Sequence, residues 1–431
     1  MIGVLGLIAM FVTMAAGMPI GLGMGLIGFL GSWALSNFDL SMSMMEVVPF
    51  RSAASYFFSV VPLFLLMGEL AFHSGISRNA YFTAYRWVGH LPGGLAIATI
   101  TGCAGFSAVC GSTVATAATM VPVALPEMNR YKYDPKLALG CIAAGGTIGT
   151  MIPPSLDFVI YGIIAQQSIG KLFIAGIFPG LILTGLFMLV IYVISNRRPS
   201  PGPPGPRSNW RQRLVAIKDL WGIMVLVVLV MGGIWAGVFT PTEAAALGSF
   251  AVFVIGVVTR QAKIKNVVAS LKSTACSCGM VLIILIGALI FSYFMALSKL
   301  PVALGNVIVG LRVPSLFILL SILAIYLILG CLMDPIGMVL LTIPIFLPII
   351  KNLGFDPIWF GVLVVLMMEM AMITPPVGIN VFVIGGMAGD VPLYAIFRGI
   401  MPFVVAQAVC LAIVMAFPQI ALFLPNIMMG R

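Results

Sequence analysis

From Leu172 to Ser195 the chain carries no charged residue at all, and Leu220 to Phe239 repeats the pattern. An apolar helix of roughly 20 residues covers the ~30 Å hydrocarbon core of a bilayer, so such stretches read as membrane spans. They are not isolated: 61% of the 431 residues are hydrophobic and only 8% are charged, where soluble domains run near a quarter charged. The sequence therefore predicts an all-α polytopic membrane protein. Its net charge of +10 reads as membrane topology before nucleic-acid binding, because the cations sit in short loops between spans. The seven cysteines lie inside apolar segments without the clustering that metal or redox sites need, and read as packing residues. The stretch Ile2 to Ala16 has no cation before it and runs through Met18-Pro19 into further apolar sequence, which predicts a first span and no cleaved signal peptide.

Ten full crossings are expected: 2–16, 19–36, 56–73, 136–166, 171–196, 218–239, 243–259, 273–297, 357–388 and 397–424. Two further stretches, 94–128 and 314–350, are too long for one helix and are interrupted at Cys110-Gly111-Ser112 and at Gly330 to Pro335. Reading both as re-entrant hairpins, with the basic loop Asn196 to Lys218 inside, leaves only Arg51, Lys171, Lys299, Arg312, Lys351 and Arg431 outside, of 22 Lys and Arg. Retention of cations on the cytoplasmic side predicts that bias, and both termini then face outward. The Pro/Gly-rich run Pro199 to Pro206 cannot be helical and divides the chain. The expected organisation is a first repeat over 1–198, a cytoplasmic linker over 199–217 and a second repeat over 218–431.

A shift of 222 residues pairs Pro19 with Pro241, Pro122 with Pro344, Pro126 with Pro348, Asp134-Pro135 with Asp356-Pro357, and Pro153-Pro154 with Pro375-Pro376. After one inserted residue, Gly176 pairs with Gly399 and Pro179 with Pro402. The chain reads as a duplication. Five crossings and one hairpin per half turn the second copy upside down, and inverted repeats broken by Gly and Pro point to a secondary transporter with its site at the breaks. Candidate breaks are the tips 104–113 and 330–335 and the helix interruptions 145–155 and 371–380, the latter within broken helices 136–166 and 357–388. Backbone freed there must be buried or line a cavity, and its carbonyls can coordinate Na⁺ while helix N-termini receive an anion.

Acids at membrane depth are few. Asp334 reads as a cap for the half-helix after Pro335 or as an ion or substrate contact, and Asp157 equally as a helix-start acid or a cavity contact. Glu69 and Glu369 lie within apolar helices, where an acid is functional by default unless it packs on a polar neighbour. Glu243, in Thr240-Pro-Thr-Glu, reads as a capping residue, and His73 and His90 as interfacial residues at helix ends. His-Glu-x-x-His, Gly-x-Ser-x-Gly and the Walker loop are all lacking, which argues against an enzyme or ATP-driven motor and for an ion gradient.

The motifs Gly111-Ser-Thr-Val-Ala-Thr-Ala117, Ile152-Pro-Pro-Ser155, Phe173-x-Ala-Gly-Ile-x-Pro-Gly180, Thr240-Pro-Thr-Glu243, Met333-Asp334-Pro335 and Thr374-Pro-Pro-Val-Gly378 run in order along nearly the whole chain. Together they resemble the large membrane subunit of tripartite ATP-independent periplasmic (TRAP) transporters, of dicarboxylate or sialic-acid type. The resemblance implies a Na⁺-driven importer of organic acids in the bacterial inner membrane. The resemblance further implies an inverted-repeat elevator, with a periplasmic binding protein and a small four-helix membrane subunit as partners. No four-helix extension is read in this sequence, so that subunit is expected as a separate chain. Two Na⁺ sites follow from the resemblance: Gly330, Ala371, Val377 and Thr374 for one, and their repeat mates Ala108, Gly149, Ile152 and Ser155, with Ser112, for the other. Ala371 stands where the family has glycine, and Asp157 where an uncharged residue is expected. Ser112, Thr113, Asp157 and Asn380 are candidates for touching substrate. A stand-alone divalent-anion:Na⁺ symporter, a passive ion channel and a membrane scaffold are the alternatives.

Overall fold

A computed structural model describes residues 2–197, 200–301, 303, 313–331, 333–389 and 391–428, the Phe57 side chain excepted. The sequence readings at Arg198, Pro199, Arg312, Leu332 and Arg431 lie outside the described residues. Among the described residues every regular element is helical. The first half runs α1 (Ile2–Ala15), α2 (Ile20–Leu35), α3 (Phe38–Ala53), α4 (Val60–His73), α5 (Ile76–Val88), α6 (Gly94–Cys110), α7 (Thr113–Arg130), α8 (Pro135–Thr147), α9 (Leu156–Ala165) and α10 (Ile169–Ser195). After α11 (Trp210–Lys218), the second half runs α12 (Trp221–Trp235), α13 (Pro241–Val258), α14 (Ile264–Leu297), α15 (Ser315–Gly330), α16 (Pro335–Asn352), α17 (Pro357–Ala371), α18 (Ile379–Ala388), α19 (Leu393–Ala416) and α20 (Gln419–Met428).

Five described helices are long and apolar enough to cross a bilayer, or up to seven when each of two bent pairs is taken as one span. Several of the remaining apolar helices have only 10–17 residues, and 14 residues of α-helix rise only about 21 Å, short of ~30 Å of hydrocarbon. Several boundaries differ from those read in the sequence. Residues 38–53, 76–88 and 210–218 are helical although too polar to read as spans, so the end of the 199–217 linker, from Trp210 on, is helix. The stretch expected as one crossing over 397–424 ends at Phe417, and α20 follows separately.

The repeated prolines occupy repeated structural positions. Asp134 and Asp356 cap α8 and α17, their Oδ1 atoms accepting from the amides of Lys136 at 2.8 Å and Ile358 at 2.7 Å, with Pro135 and Pro357 opening the helices. Such caps stabilise a helix by ~1 kcal/mol, and proline at the first position lacks only an amide that would have no partner. Pro122 and Pro126 lie inside α7 as Pro344 and Pro348 lie inside α16, and Pro179 inside α10 as Pro402 inside α19. Both Pro-Pro bonds, 153-154 and 375-376, are cis.

Contacts between the halves also come in exchanged pairs. The helix α7 packs on α18 while its counterpart α16 packs on α9. Likewise α8 meets α19 while α17 meets α10, and α2 meets α14 while α13 meets α4. This is the pattern a two-fold axis generates. The α8–α19 crossing is close because both sides offer glycine: a methyl at Gly140 would lie 2.7 Å from the Gly399 carbonyl carbon, and one at Gly399 would strike the Lys136 carbonyl.

The Pro/Gly segment is a strap rather than a slack tether. Pro201 O accepts from the Asp134 amide, Gly202 O from Gly93 and Pro203 O from the Tyr133 hydroxyl, while the Gly205 amide donates to Gly89 O. It thereby gathers the loops before α6 and α8 at one end of the molecule. Gly399→Val is expected to lower unfolding stability by about 1–3 kcal/mol through overpacking, whereas Gly185→Val, with open space at its Cα, leaves it unchanged. Thermal unfolding of the two variants in detergent distinguishes them.

Candidate functional site

At the first tip, α6 ends on Cys110, Gly111 turns the chain at φ +62°, and Ser112 caps α7, its Oγ accepting from Ala115 N at 3.5 Å. In the first broken helix, α8 ends at Thr147, a tight turn covers Ile148–Thr150, and α9 restarts after Ser155, whose Oγ accepts from Phe158 N at 3.3 Å. The tip sits in the break: the Leu156 amide donates to Gly111 O at 3.3 Å, and a methyl at Gly111 would lie 2.6 Å from Pro154 O. Glycine is required there twice over, by its left-handed backbone and by that approach.

The second copy repeats the plan. Gly330 ends α15, and any side-chain carbon there would strike the Ala371 Cβ. Asp334 caps α16, its Oδ2 accepting from Gly337 N at 3.0 Å, which is the capping role. The Cys331 thiol donates to Pro375 O at 3.6 Å, and Thr374 Oγ1 donates to Met370 O at 2.6 Å. The two breaks differ in exposure. The first is buried around Pro153, Pro154 and Ser155, whereas Pro375, Pro376 and Val377 are open at the surface.

Of the residues proposed for the first cation, Ser112, Gly149 and Ser155 come together. A methyl at Gly149 would lie 2.8 Å from Ser112 O and 2.9 Å from Thr116 Oγ1, so two oxygens converge on its Cα. Ala108 lies in the last turn of α6, and Ile152 turns its side chain toward Gly180 of α10. Of the second set, Gly330, Ala371 and Thr374 are neighbours, the Ala371 carbonyl already accepting from the Thr374 amide at 3.2 Å, while the Val377 side chain is exposed. Both sets are oxygen donors of the kind a hard cation takes.

Between the copies lies a polar cluster in an otherwise apolar core. Glu369 of α17 is fully buried, and its Oε1 accepts from Thr113 Oγ1 at 2.6 Å and from Thr150 Oγ1. Thr113 opens the first hairpin's second helix, Thr150 lies in the first break, and Asp157, buried in the first turn of α9, places its carboxyl beside Thr150 and Glu369. Among the described residues no Lys or Arg bears on either carboxyl. Two like charges so close in a region of low dielectric require a neutralising cation or proton.

The repeat gives this cluster a neutral mirror. Allowing for the inserted residue, Asp157 corresponds to Asn380 and Glu369 to Thr147. Asn380 is buried, its Nδ2 donating to Ala143 O at 3.5 Å beside Gly146, while Oδ1 is without a partner. Thr113 and Asp157 thus meet at Glu369, the Thr113 carbonyl and the Asn380 amide both face Gly146, and Ser112 precedes Thr113 at the tip. Sequence reasoning missed Thr150, because a hydroxyl carries no signal until its acid partner is placed. The other acids are structural: Glu69 Oε1 accepts from Ser273 Oγ at 2.6 Å, and Glu243 Oε2 completes the capping box with Thr240 N at 2.8 Å. His73 stacks edge-on against Phe72, and His90 Nδ1 lies 3.4 Å from Arg213 Nη2, both near helix ends. The buried cysteines 103, 110, 141 and 410 pack in the core, while Cys276 is exposed.

Helices interrupted at paired positions, with hairpin tips seated in the interruptions, define an all-helical fold with several helices apolar and long enough to cross a bilayer. The fold is shared with the YdaH transporter of Alcanivorax borkumensis, at TM-score 0.64 and 14% identity over 88% of this chain and 90% of that one. MtrF of Neisseria gonorrhoeae matches at TM-score 0.60 and 13% identity over 90% and 85%. The family described as "Tripartite ATP-independent periplasmic transporter, DctM component" matches residues 7–420, and the chain belongs to it. Similar relatives include the C4-dicarboxylate TRAP transporter large permease of Pseudomonas aeruginosa, 36% identical over 90% of each chain. The sialic acid TRAP transporter large permease of Vibrio cholerae is 33% identical over 86% of each. The isethionate TRAP permease DctMQ of Oleidesulfovibrio alaskensis is 35% identical over 97% of this chain, which spans 65% of that relative. These are transport proteins and not enzymes.

Because both hydroxyls donate to one oxygen, Thr150→Val is expected to cost about 1–3 kcal/mol in the wild type and markedly less on a Glu369→Gln background. A double-mutant cycle of unfolding free energies measures that coupling.

Proposed function

We propose that this chain is the large permease subunit of a Na⁺-driven system that imports small organic acids handed over by a periplasmic binding protein. The observation that carries the reading is the seating of each hairpin tip in its own half's broken helix, in two copies joined through Glu369. The proposed cation seats are Ser112, Gly149 and Ser155 in the first half, with Ala108 and Ile152, and Gly330, Ala371 and Thr374 in the second, with Val377; the approach of Ser112 O and Thr116 Oγ1 to Gly149 supports the first. Na⁺ moving down its gradient supplies the driving force.

The chain's own residues do the coupling. Asp157 and Glu369 would repel a carboxylate, so together with Thr113, whose hydroxyl donates to Glu369, they belong to the cation side, while Ser112 and Asn380 offer the substrate neutral hydrogen-bonding groups. The exchanged contacts support two inverted repeats, 1–198 and 218–431, with the tips and breaks of 94–128, 136–166, 314–350 and 357–388 moving as one elevator body against α1 to α4 and α12 to α14. The stretches 94–128 and 314–350 are read as re-entrant. The bacterial inner membrane is the location, and the end bearing Lys136, Arg197 and the strap faces inward, with both termini outward. A small four-helix subunit completes the assembly. The relative of which this chain spans only 65% is a DctMQ protein, consistent with the two membrane subunits fused. The relatives' named solutes, C4-dicarboxylate and sialic acid, support a carboxylate substrate.

Proteoliposomes holding this chain with its small subunit are expected to take up a labelled C4-dicarboxylate or sialic acid only with both a Na⁺ gradient and the binding protein. Asp157→Asn should weaken the dependence on Na⁺ concentration while leaving binding-protein dependence intact. Uptake without the binding protein moves the chain to the stand-alone symporters, and flux indifferent to Na⁺ makes it a passive pathway.

A further inference from the structure

Three cations that lie far apart in sequence meet in one cleft. Lys136 at the start of α8, Arg197 just past the end of α10 and Arg398 in the first turns of α19 line a recess of about 700 Å³ between α10 and α19. All three are exposed, and among the described residues no carboxylate or hydrogen bond engages their charged ends. The one acid in the cleft, Asp134, already spends its Oδ1 on the Lys136 amide as the α8 cap. The floor is apolar and exposed: Leu189 is 55% exposed, Val193 50% and Val405 60%. The apolar helix α10 ends at Ser195, so Arg197 stands at the hydrocarbon boundary.

We propose that this cleft is a binding site for an anionic glycerophospholipid, its phosphate among Lys136, Arg197 and Arg398 and an acyl chain along Leu189, Val193 and Val405. The charge balance selects the occupant. A zwitterionic lipid brings a cation as well as a phosphate and gains little from three unpaired cations, whereas an anionic headgroup neutralises them. The apolar floor selects a lipid over a dissolved anion, because a free phosphate leaves those side chains uncovered. The cleft also joins the two halves, since α8 and α10 belong to the first and α19 to the second, so a lipid there bridges them. The proposal needs only the membrane placement of the chain and not its transport reading.

The test is native mass spectrometry of the purified chain in neutral detergent with three probes: dioleoylphosphatidylglycerol, dioleoylphosphatidylcholine and sn-glycerol 3-phosphate. The wild type is expected to retain phosphatidylglycerol over phosphatidylcholine and not to retain glycerol phosphate. Roughly fivefold per cation gives a loss of about 100-fold in phosphatidylglycerol affinity for the triple variant Lys136→Gln, Arg197→Gln, Arg398→Gln. A control triple at Lys263, Lys265 and Lys272, each to Gln, should bind as the wild type does. Should the first triple misfold, Val405→Trp fills the floor with all charges kept and is expected to lower phosphatidylglycerol retention. Equal retention of both lipids, glycerol phosphate bound as tightly as phosphatidylglycerol, or losses equal in the two triples would overturn the assignment.

Discussion

A helix broken inside a bilayer leaves amides and carbonyls that hydrocarbon cannot satisfy, and the architecture of this chain answers that constraint. Each break is filled by the tip of a hairpin from its own half. Gly111 O takes the Leu156 amide, and Gly330 lets the second tip close against Ala371. The helices that follow the breaks then pack against the opposite hairpins, α18 on α7 and α9 on α16. Neither half can be completed without the other. The scaffold pairs, α2 with α14 and α13 with α4, follow the same exchange.

The two halves are unequal at the site. Asp157 of the first half meets Glu369 of the second, on which two threonine hydroxyls of the first half donate, while Asn380 of the second half meets the Ala143 carbonyl of the first. The first break is buried and the second is open at Pro375 to Val377. The two breaks therefore differ in charge and in access. The strap from Ser200 to Asn209 fixes the loops at one end, and its backbone hydrogen bonds make it part of the body rather than a spacer.

Much of this was legible in the sequence because proline and glycine write backbone breaks directly. The register of Pro122, Pro126, Pro153 and Pro154 with Pro344, Pro348, Pro375 and Pro376 located the hairpins and broken helices to within a few residues. Hydropathy could not find α3 or α5, whose Asp39, Glu46, Arg78 and Arg86 interrupt any apolar window, nor α11 beyond the strap. At the site, Glu369 stood out as an acid in an apolar helix and Asp157 as a departure from the family. Their meeting could not be read, because a distance of 212 positions in the chain carries no pattern that links them. Thr150 was invisible for the same reason.

The account turns on two cation seats of unequal character, and the Na⁺ dependence of uptake into proteoliposomes tests that most directly. Two cooperative seats predict a Hill coefficient approaching two in the wild type, falling toward one in both Ser155→Ala and Thr374→Ala. A coefficient near one in the wild type, or a steep Na⁺ dependence that survives both substitutions, would contradict it.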